Sequence, residues 1–141
     1  MNKKFEFLEH TADTKIRAYG ETIEEAFSNA LIATTTVMTN PELIKEKITK
    51  KIKIKAKNKK ALLYDFLEEI LFLLDTEQLL IKKTNNLQIK ENQEEYELTT
   101  ELIGDYAKNY EVHSTIKAIT YSEMEIKQEK NKHVIQIVHD L

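Results

Sequence analysis

A chain of 141 residues without a single cysteine excludes disulfides, thiolate metal sites and cysteine nucleophiles. Its length suits one domain, 1–141, whose core needs no covalent staple. A net charge of −3 with 32% charged residues describes a heavily charged surface that is not basic, which argues against a domain that grips nucleic acid by itself.

The first elements are short. Phe5 to Leu8 and Lys15 to Tyr19 read as strands around a polar turn, and Gly20 closes the second. Thr22 and Glu25 form a capping box ahead of an apolar stripe of Ile23, Ala26, Phe27, Ala30, Leu31 and Val37. This spacing predicts an amphipathic helix from Thr22 to about Met38, stopped by Pro41. Thr34, Thr35 and Thr36 lower its intrinsic propensity, so packing must carry its last turns.

The lysine-rich stretch from Lys50 to Lys60 alternates with Ile52 and Ile54. That pattern predicts a strand with one buried and one wet face rather than a phosphate-binding stripe. A second helix follows from about Lys59 to Asp75, with Asn58 as its N-cap. Leu63, Phe66, Leu67, Ile70, Leu71 and Leu74 form its buried face. Leu62, Tyr64, Phe72 and Leu73 widen that face, which predicts cover on more than one side.

Three strands come next, near Leu79 to Lys83, Leu87 to Lys90 and Tyr96 to Ile103, with turns expected at Asn85-Asn86 and at Glu91 to Glu94. A strand from about Ile116 to Lys127, a turn at Glu129 to Lys132 and a strand from Val134 to Val138 complete the chain. The expected class is α+β: a single mostly antiparallel mixed sheet with two amphipathic helices on one face. No apolar run approaches the roughly 18 residues of a membrane span, and no signal peptide is readable at the start. With the lack of cysteine, these features lead to an expectation of a cytoplasmic protein.

Two short constellations could carry chemistry. His10-Thr11-Ala12-Asp13 lies in the first turn, and His139-Asp140-Leu141 ends the sequence. A main-chain carboxylate on Leu141 beside Asp140 would add a group with a pKa of about 3.3–3.7. Were the last strand to end near the first turn, these groups and Asp13 would form an all-oxygen anionic pocket. Crowded carboxylates repel one another, and oxygen-only donors suit Ca²⁺ or Mg²⁺ rather than Zn²⁺. Taken singly, Asp13 is an ordinary turn residue and Asp140 an ordinary solvated one. His10, His113, His133 and His139 lack paired-ligand spacing, and such residues at strand ends are usually structural. Lys117, within an apolar strand, either points to solvent or meets a phosphate or carboxylate of a partner. Arg17 alternates with Ile16 and Ala18 and is expected to be exposed. No P-loop, GxGxxG, nucleophile elbow or Ser/His/Asp order is present, so no catalytic residue is assigned.

Four segments together resemble one family. Glu9-His10-Thr11-Ala12-Asp13, Ile16-Arg17-Ala18-Tyr19-Gly20 and Thr22 to Phe27 resemble the opening signature of archeases. Ala61-Leu62-Leu63-Tyr64-Asp65-Phe66-Leu67-Glu68-Glu69-Ile70-Leu71 resembles their second helix. Ile116-Lys117-Ala118-Ile119-Thr120-Tyr121 with Met124-Glu125-Ile126 resembles their late strand, and Asp140-Leu141 their ending. The likeness runs over nearly the whole chain in order. It implies a non-enzymatic accessory protein that promotes guanylylation and multiple turnover of an RtcB-type tRNA-splicing RNA ligase, touching tRNA only through that ligase. It also implies a divalent cation site of calcium type, carried over to Asp13, Asp140 and Leu141. Residues implied in ligase activation are Asp13, Lys117, His10 and His113. Two positions depart from the family's habit: Thr14-Lys15 replaces Ile-Gly, and Ser122 replaces a histidine. The alternative from another class is a small metal-dependent hydrolase or RNA-modifying enzyme built on Asp13, Asp140 and His10.

Overall fold

The computed structural model describes residues 3–9 and 13–141. Strands β1 (Phe5–Leu8) and β2 (Thr14–Gly20) lead into helix α1 (Ile23–Met38). Thr22 caps α1 by accepting the Glu25 N–H at 3.1 Å, while the Glu25 carboxylate takes the Glu21 N–H at 2.7 Å. The capping box is therefore real, with its return bond one residue earlier than the usual pattern. Buried threonines late in α1 find partners: Thr34 donates to the Ala30 carbonyl and Thr35 to the Ile81 carbonyl, at 2.9 and 2.7 Å. Low propensity is thus offset by satisfied hydroxyls and packing. The helix ends at Thr39, and Pro41 opens a short 3₁₀ turn, Pro41–Leu43.

Strand β3 (Ile48–Ala56) precedes helix α2 (Lys59–Glu77), which Asn58 caps through the Ala61 N–H at 2.8 Å. Lys51, Lys53 and Lys55 of β3 are exposed, while Ile52 and Ile54 turn inward. In the register Lys51 faces Glu101 and Lys55 faces Glu97. Lys55 also lies 3.8 Å from both Glu95 and Glu97. This is the expected wet sheet face, charge-balanced across strands. Helix α2 continues to Glu77 and stops where Gln78 adopts a left-handed conformation, φ 56°, an αL cap without glycine.

Strand β4 (Leu79–Glu91) is continuous, where two strands with a turn at Asn85-Asn86 were expected. It pairs with β5 (Tyr96–Tyr106) and absorbs register shifts between Ile81 and Lys83 and between Asn85 and Gln88. Asn86 sits at φ 55° within the second irregularity. The asparagines therefore form a bulge, not a turn, and Thr100 Oγ1 donates to the Asn85 carbonyl at 2.9 Å to hold it. Strands β6 (Ala118–Glu129) and β7 (Lys132–Asp140) form the final hairpin, turning through Lys130-Asn131 with Lys130 at φ 47°.

The α+β class holds, with every strand pairing antiparallel among the described residues. The strands divide into two sheets, β1-β2-β7-β6 and β3-β5-β4. Helix α1 touches β2, β7 and β4, and α2 touches β6, β3, β4 and β5, so each helix packs on both sheets. One cluster joins them: Ile16, Ile135 and Ile137 from the first sheet, Leu98 and Leu102 from the second, and Phe27 against Phe66 between the helices. Leu62 and Leu73 are buried as expected, but Phe72 is 56% exposed.

Gly104 sits opposite the first β4 irregularity, paired with Ile81. A Cβ there would collide with the Leu80 carbonyl oxygen, a backbone atom that cannot swing away. Gly104→Ala should lower the unfolding free energy by about 1–3 kcal/mol, read as a reduced midpoint with an unchanged slope in urea denaturation.

Candidate functional site at the end of the four-stranded sheet

Register builds the site. Thr14 pairs with His139, and Ala118 pairs with Asp140. Continuing each ladder by one residue sets Asp13 level with Asp140, and Lys117 level with Leu141. Cross-strand partners share a face, with Cβ atoms about 4.5–5.5 Å apart. Ala118 and Asp140 are paired on the outer face of the sheet, and on that continuation Asp13 falls in the same row. The next row, Thr14, His139 and Ile119, points inward to α1. The Lys117 N–H donates to the Asp140 carbonyl at 2.7 Å and fixes where Lys117 leaves the strand end. Lys117 and Asp140 are exposed, Asp13 is partly exposed, and Leu141 is 37% exposed. No ion pair engages the Lys117 ammonium among the described residues.

The inward row explains how the carboxylates are held. His139 is fully buried, and its Nε2 lies 2.9 Å from Thr34 Oγ1. The Thr34 hydroxyl already donates to Ala30, so we assign the imidazole proton to Nε2, which then donates to Oγ1. Nδ1 has no hydrogen-bond partner among the described residues. Burial pushes the His139 pKa down to about 4, and the nearby Thr14 backbone opposes this weakly, without meeting hydrogen-bond geometry. His139 is therefore a neutral pin between the end of β7 and α1. It is the structural histidine that its position suggested.

The remaining sequence-derived residues fall differently. His10 lies outside the described residues. His113 is exposed, with Nδ1 3.6 Å from Glu111. Its N–H donates to the Met38 carbonyl at 2.7 Å, which anchors it at the C-terminal end of α1. No contact joins it to Asp13 or Asp140 among the described residues. Arg17 is half-buried rather than exposed, because its Nε donates to Gln136 Oε1 at 2.9 Å on the outer face. Lys15, next to Asp13 on that face, pairs with Glu123 at 2.8 Å.

The donors are oxygen atoms, the type that suits a hard cation, although no group of three or more His, Asp or Glu side chains gathers as a metal site among the described residues. Among the described residues, the one hydroxyl bonded to an imidazole is Thr34, which is fully buried and offers no nucleophile to solvent.

An α+β chain of two antiparallel sheets with an acidic, lysine-flanked strand end defines the class. Comparisons with known proteins add the family. The model of the Archease protein family (MTH1598/TM1083) matches residues 5–141. Proteins named "Protein archease" are similar over nearly the full length of both chains. That of Methanosarcina mazei is 33% identical, covering 99% of this chain and 97% of its own. That of Methanothermobacter thermautotrophicus is 36% identical, covering 99% of each. The solution structure of Methanobacterium thermoautotrophicum protein 1598 superposes with a TM-score of 0.84 at 33% identity, covering 98% of this chain and 99% of that one. A crystal structure from Thermotoga maritima, described as an archease and possible chaperone, shares the fold at 18% identity, with a TM-score of 0.60 over 100% and 98% of the two chains. The chain belongs to the archease family. No helix among the described residues is long and apolar enough to cross a membrane.

Proposed function

We propose that this chain is an accessory protein of an RtcB-type RNA ligase, promoting guanylylation of the ligase and its multiple turnover in tRNA splicing. The observation that carries the reading is the strand end itself, where Thr14 pairs with His139, Ala118 pairs with Asp140, and the Lys117 backbone N–H bonds the Asp140 carbonyl. Membership of the archease family supports it, as does the lack of a glycine-rich phosphate cradle in the sequence. Asp13, Asp140 and a main-chain carboxylate on Leu141 would hold a Ca²⁺-type divalent ion, which would supply a positive centre to oxygen groups of the ligase or of GTP. Lys117 adds a second positive group at the same edge, able to meet a GTP phosphate or an acidic ligase residue. His139 and Thr34 keep the β7 end in place while the partner binds. The protein contributes no nucleophile, and acts by favouring the ligase arrangement that reacts with GTP.

Ligation assayed with limiting RtcB-type ligase, labelled GTP and a splicing substrate tests this. The chain should raise the number of turnovers per ligase, and the covalent guanylate should appear on the ligase alone. A guanylate on this chain, or GTP or RNA hydrolysis by it alone, would favour the hydrolase alternative and overturn the proposal. Lys117→Ala should fold with a stability change within about 0.5 kcal/mol, because the side chain is exposed. Activation should nonetheless fall sharply. Full activation by that variant would make Lys117 a bystander.

A further inference from the structure

Beside the start of β6, one face of α2 is uncovered. The outward stripe Tyr64, Asp65, Glu68, Glu69 and Phe72 recurs at helical spacing. It lies between two sheet edges, β3 of one sheet and β6 of the other. Glu68 spans to β6 by accepting the Ile119 N–H at 2.8 Å. On the other side, Lys53 and Ile54 of β3 join Asp65, Glu68, Glu69 and Phe72 around an open concavity of about 420 Å³.

The β6 side carries an aromatic platform. Tyr121 stacks on Tyr64 with ring centroids 4.4 Å apart and planes 6° from parallel. Although one ring face is covered in this way, Tyr121 remains 53% exposed, so its other face is open. Asp65 is exposed and makes no hydrogen bond or ion pair among the described residues, and neither does Lys53. The field of Asp65 reaches the ring, since burial first and Asp65 next raise the Tyr121 pKa. Glu69 is likewise raised by partial burial, with Lys50 opposing. Three carboxylates against one lysine give the channel a formal charge of −2.

An open aromatic face bordered by carboxylates selects a planar cation. Guanidinium stacks on the ring quadrupole and offers a fork of N–H donors to a carboxylate, which an ammonium does less well. The same negative charge disfavours RNA, whose bases could otherwise stack there. We propose that the α2 channel docks an arginine-bearing, extended segment of a protein partner, with the guanidinium laid on the open face of Tyr121 and paired with Asp65. The surface adjoins the strand end through Ile119 but shares no residue with Asp13 or Asp140, and it does not depend on the ligase reading.

The test is an NMR titration of the full chain with the capped peptide Gly-Arg-Gly-Arg-Gly. Backbone amide shifts should saturate and centre on Tyr64, Asp65, Glu68, Glu69, Phe72 and Tyr121. The lysine version should bind several-fold more weakly. Asp65→Asn is isosteric at an exposed position, and should weaken arginine-peptide affinity about tenfold while leaving the rest of the spectrum in place. Tyr121→Leu should weaken it about fivefold, and because Asp65→Asn leaves the stack intact, the two variants separate charge from platform. The inference is overturned if no saturable shift develops, if shifts scatter over every acidic surface, if Asp65→Asn binds as well as the parent, or if a uridine oligonucleotide shifts the same residues in place of the peptide.

Discussion

Asp140→Ala should abolish ligase activation and leave the fold standing. Asp140 is exposed at the last paired position of β7, and its structural contribution is a backbone one, the carbonyl that accepts from Lys117. Replacing its side chain keeps that bond, so stability should change by no more than about 0.5 kcal/mol. Its carboxylate is one of two in the outer row, and a hard cation held by so few donors depends on each. Ca²⁺ affinity should fall on the order of 100-fold, and Asp13→Ala should act alike. Calorimetry with Ca²⁺ and the multiple-turnover ligation assay should report the two losses together. Unchanged Ca²⁺ affinity in Asp140→Ala would remove the carboxylate row from the mechanism.

The helices were readable because their signals are local. Thr22 with Glu25, and Asn58 ahead of an apolar stripe, are capping chemistry that acts within four residues. The two-sheet arrangement was not readable. Alternation such as Ile52 and Ile54 against Lys51, Lys53 and Lys55 says which face is buried, but not which strand lies next door. Asn85-Asn86 misled for the same reason. A pair of asparagines favours left-handed backbone, and a bulge needs that as much as a turn does. The long pairing of β4 with β5 decided between them. Phe72 extends the apolar stripe of α2 in the sequence, yet its side of the helix falls in the gap between β3 and β6.

At the strand end, chemistry and position came from different sources. Residue types alone said only that Asp13, Asp140 and a carboxylate on Leu141 would suit a hard cation if they met. The register of β2, β7 and β6, continued by one residue, sets Asp13 level with Asp140, and that depends on long-range pairing. Arg17 was misjudged because its strand has an outer face lined by Gln136 rather than by water. The His139–Thr34 pair had a faint signal. Ile135, Ile137 and His139 share one face of a period-two strand, and the first two are apolar. A histidine continuing that row belongs inside, where it needs a hydroxyl partner.

That buried histidine makes the protein acid-sensitive in a defined window. His139 is held down to about pKa 4 by burial, against about 6.5 in the unfolded chain. Between those values the unfolded chain binds a proton that the folded one excludes. The stability contributed by the neutral imidazole is complete above about pH 6.5 and is lost as pH falls toward 4. The slope is about 1.4 kcal/mol per pH unit, so the accumulated loss reaches about 3 kcal/mol as an upper bound. The carboxylates held below their ordinary range, Glu6 by Tyr19 and Lys3 and Asp105 by Tyr110, act in the same sense. Their contributions fade around and below the ordinary carboxylate pKa, at the acid end of the window or beyond it. Urea unfolding with a chelator present, at half-unit steps from pH 7 to pH 4, should show stability declining from near pH 6.5. His139→Leu keeps a buried apolar side chain in the row and removes the titrating ring. It should flatten the decline between pH 6.5 and 5 while leaving the steeper acid limb intact. If the parent and His139→Leu lose stability in parallel across that interval, the histidine is not held below its ordinary pKa in the folded chain and the acid sensitivity comes from other groups.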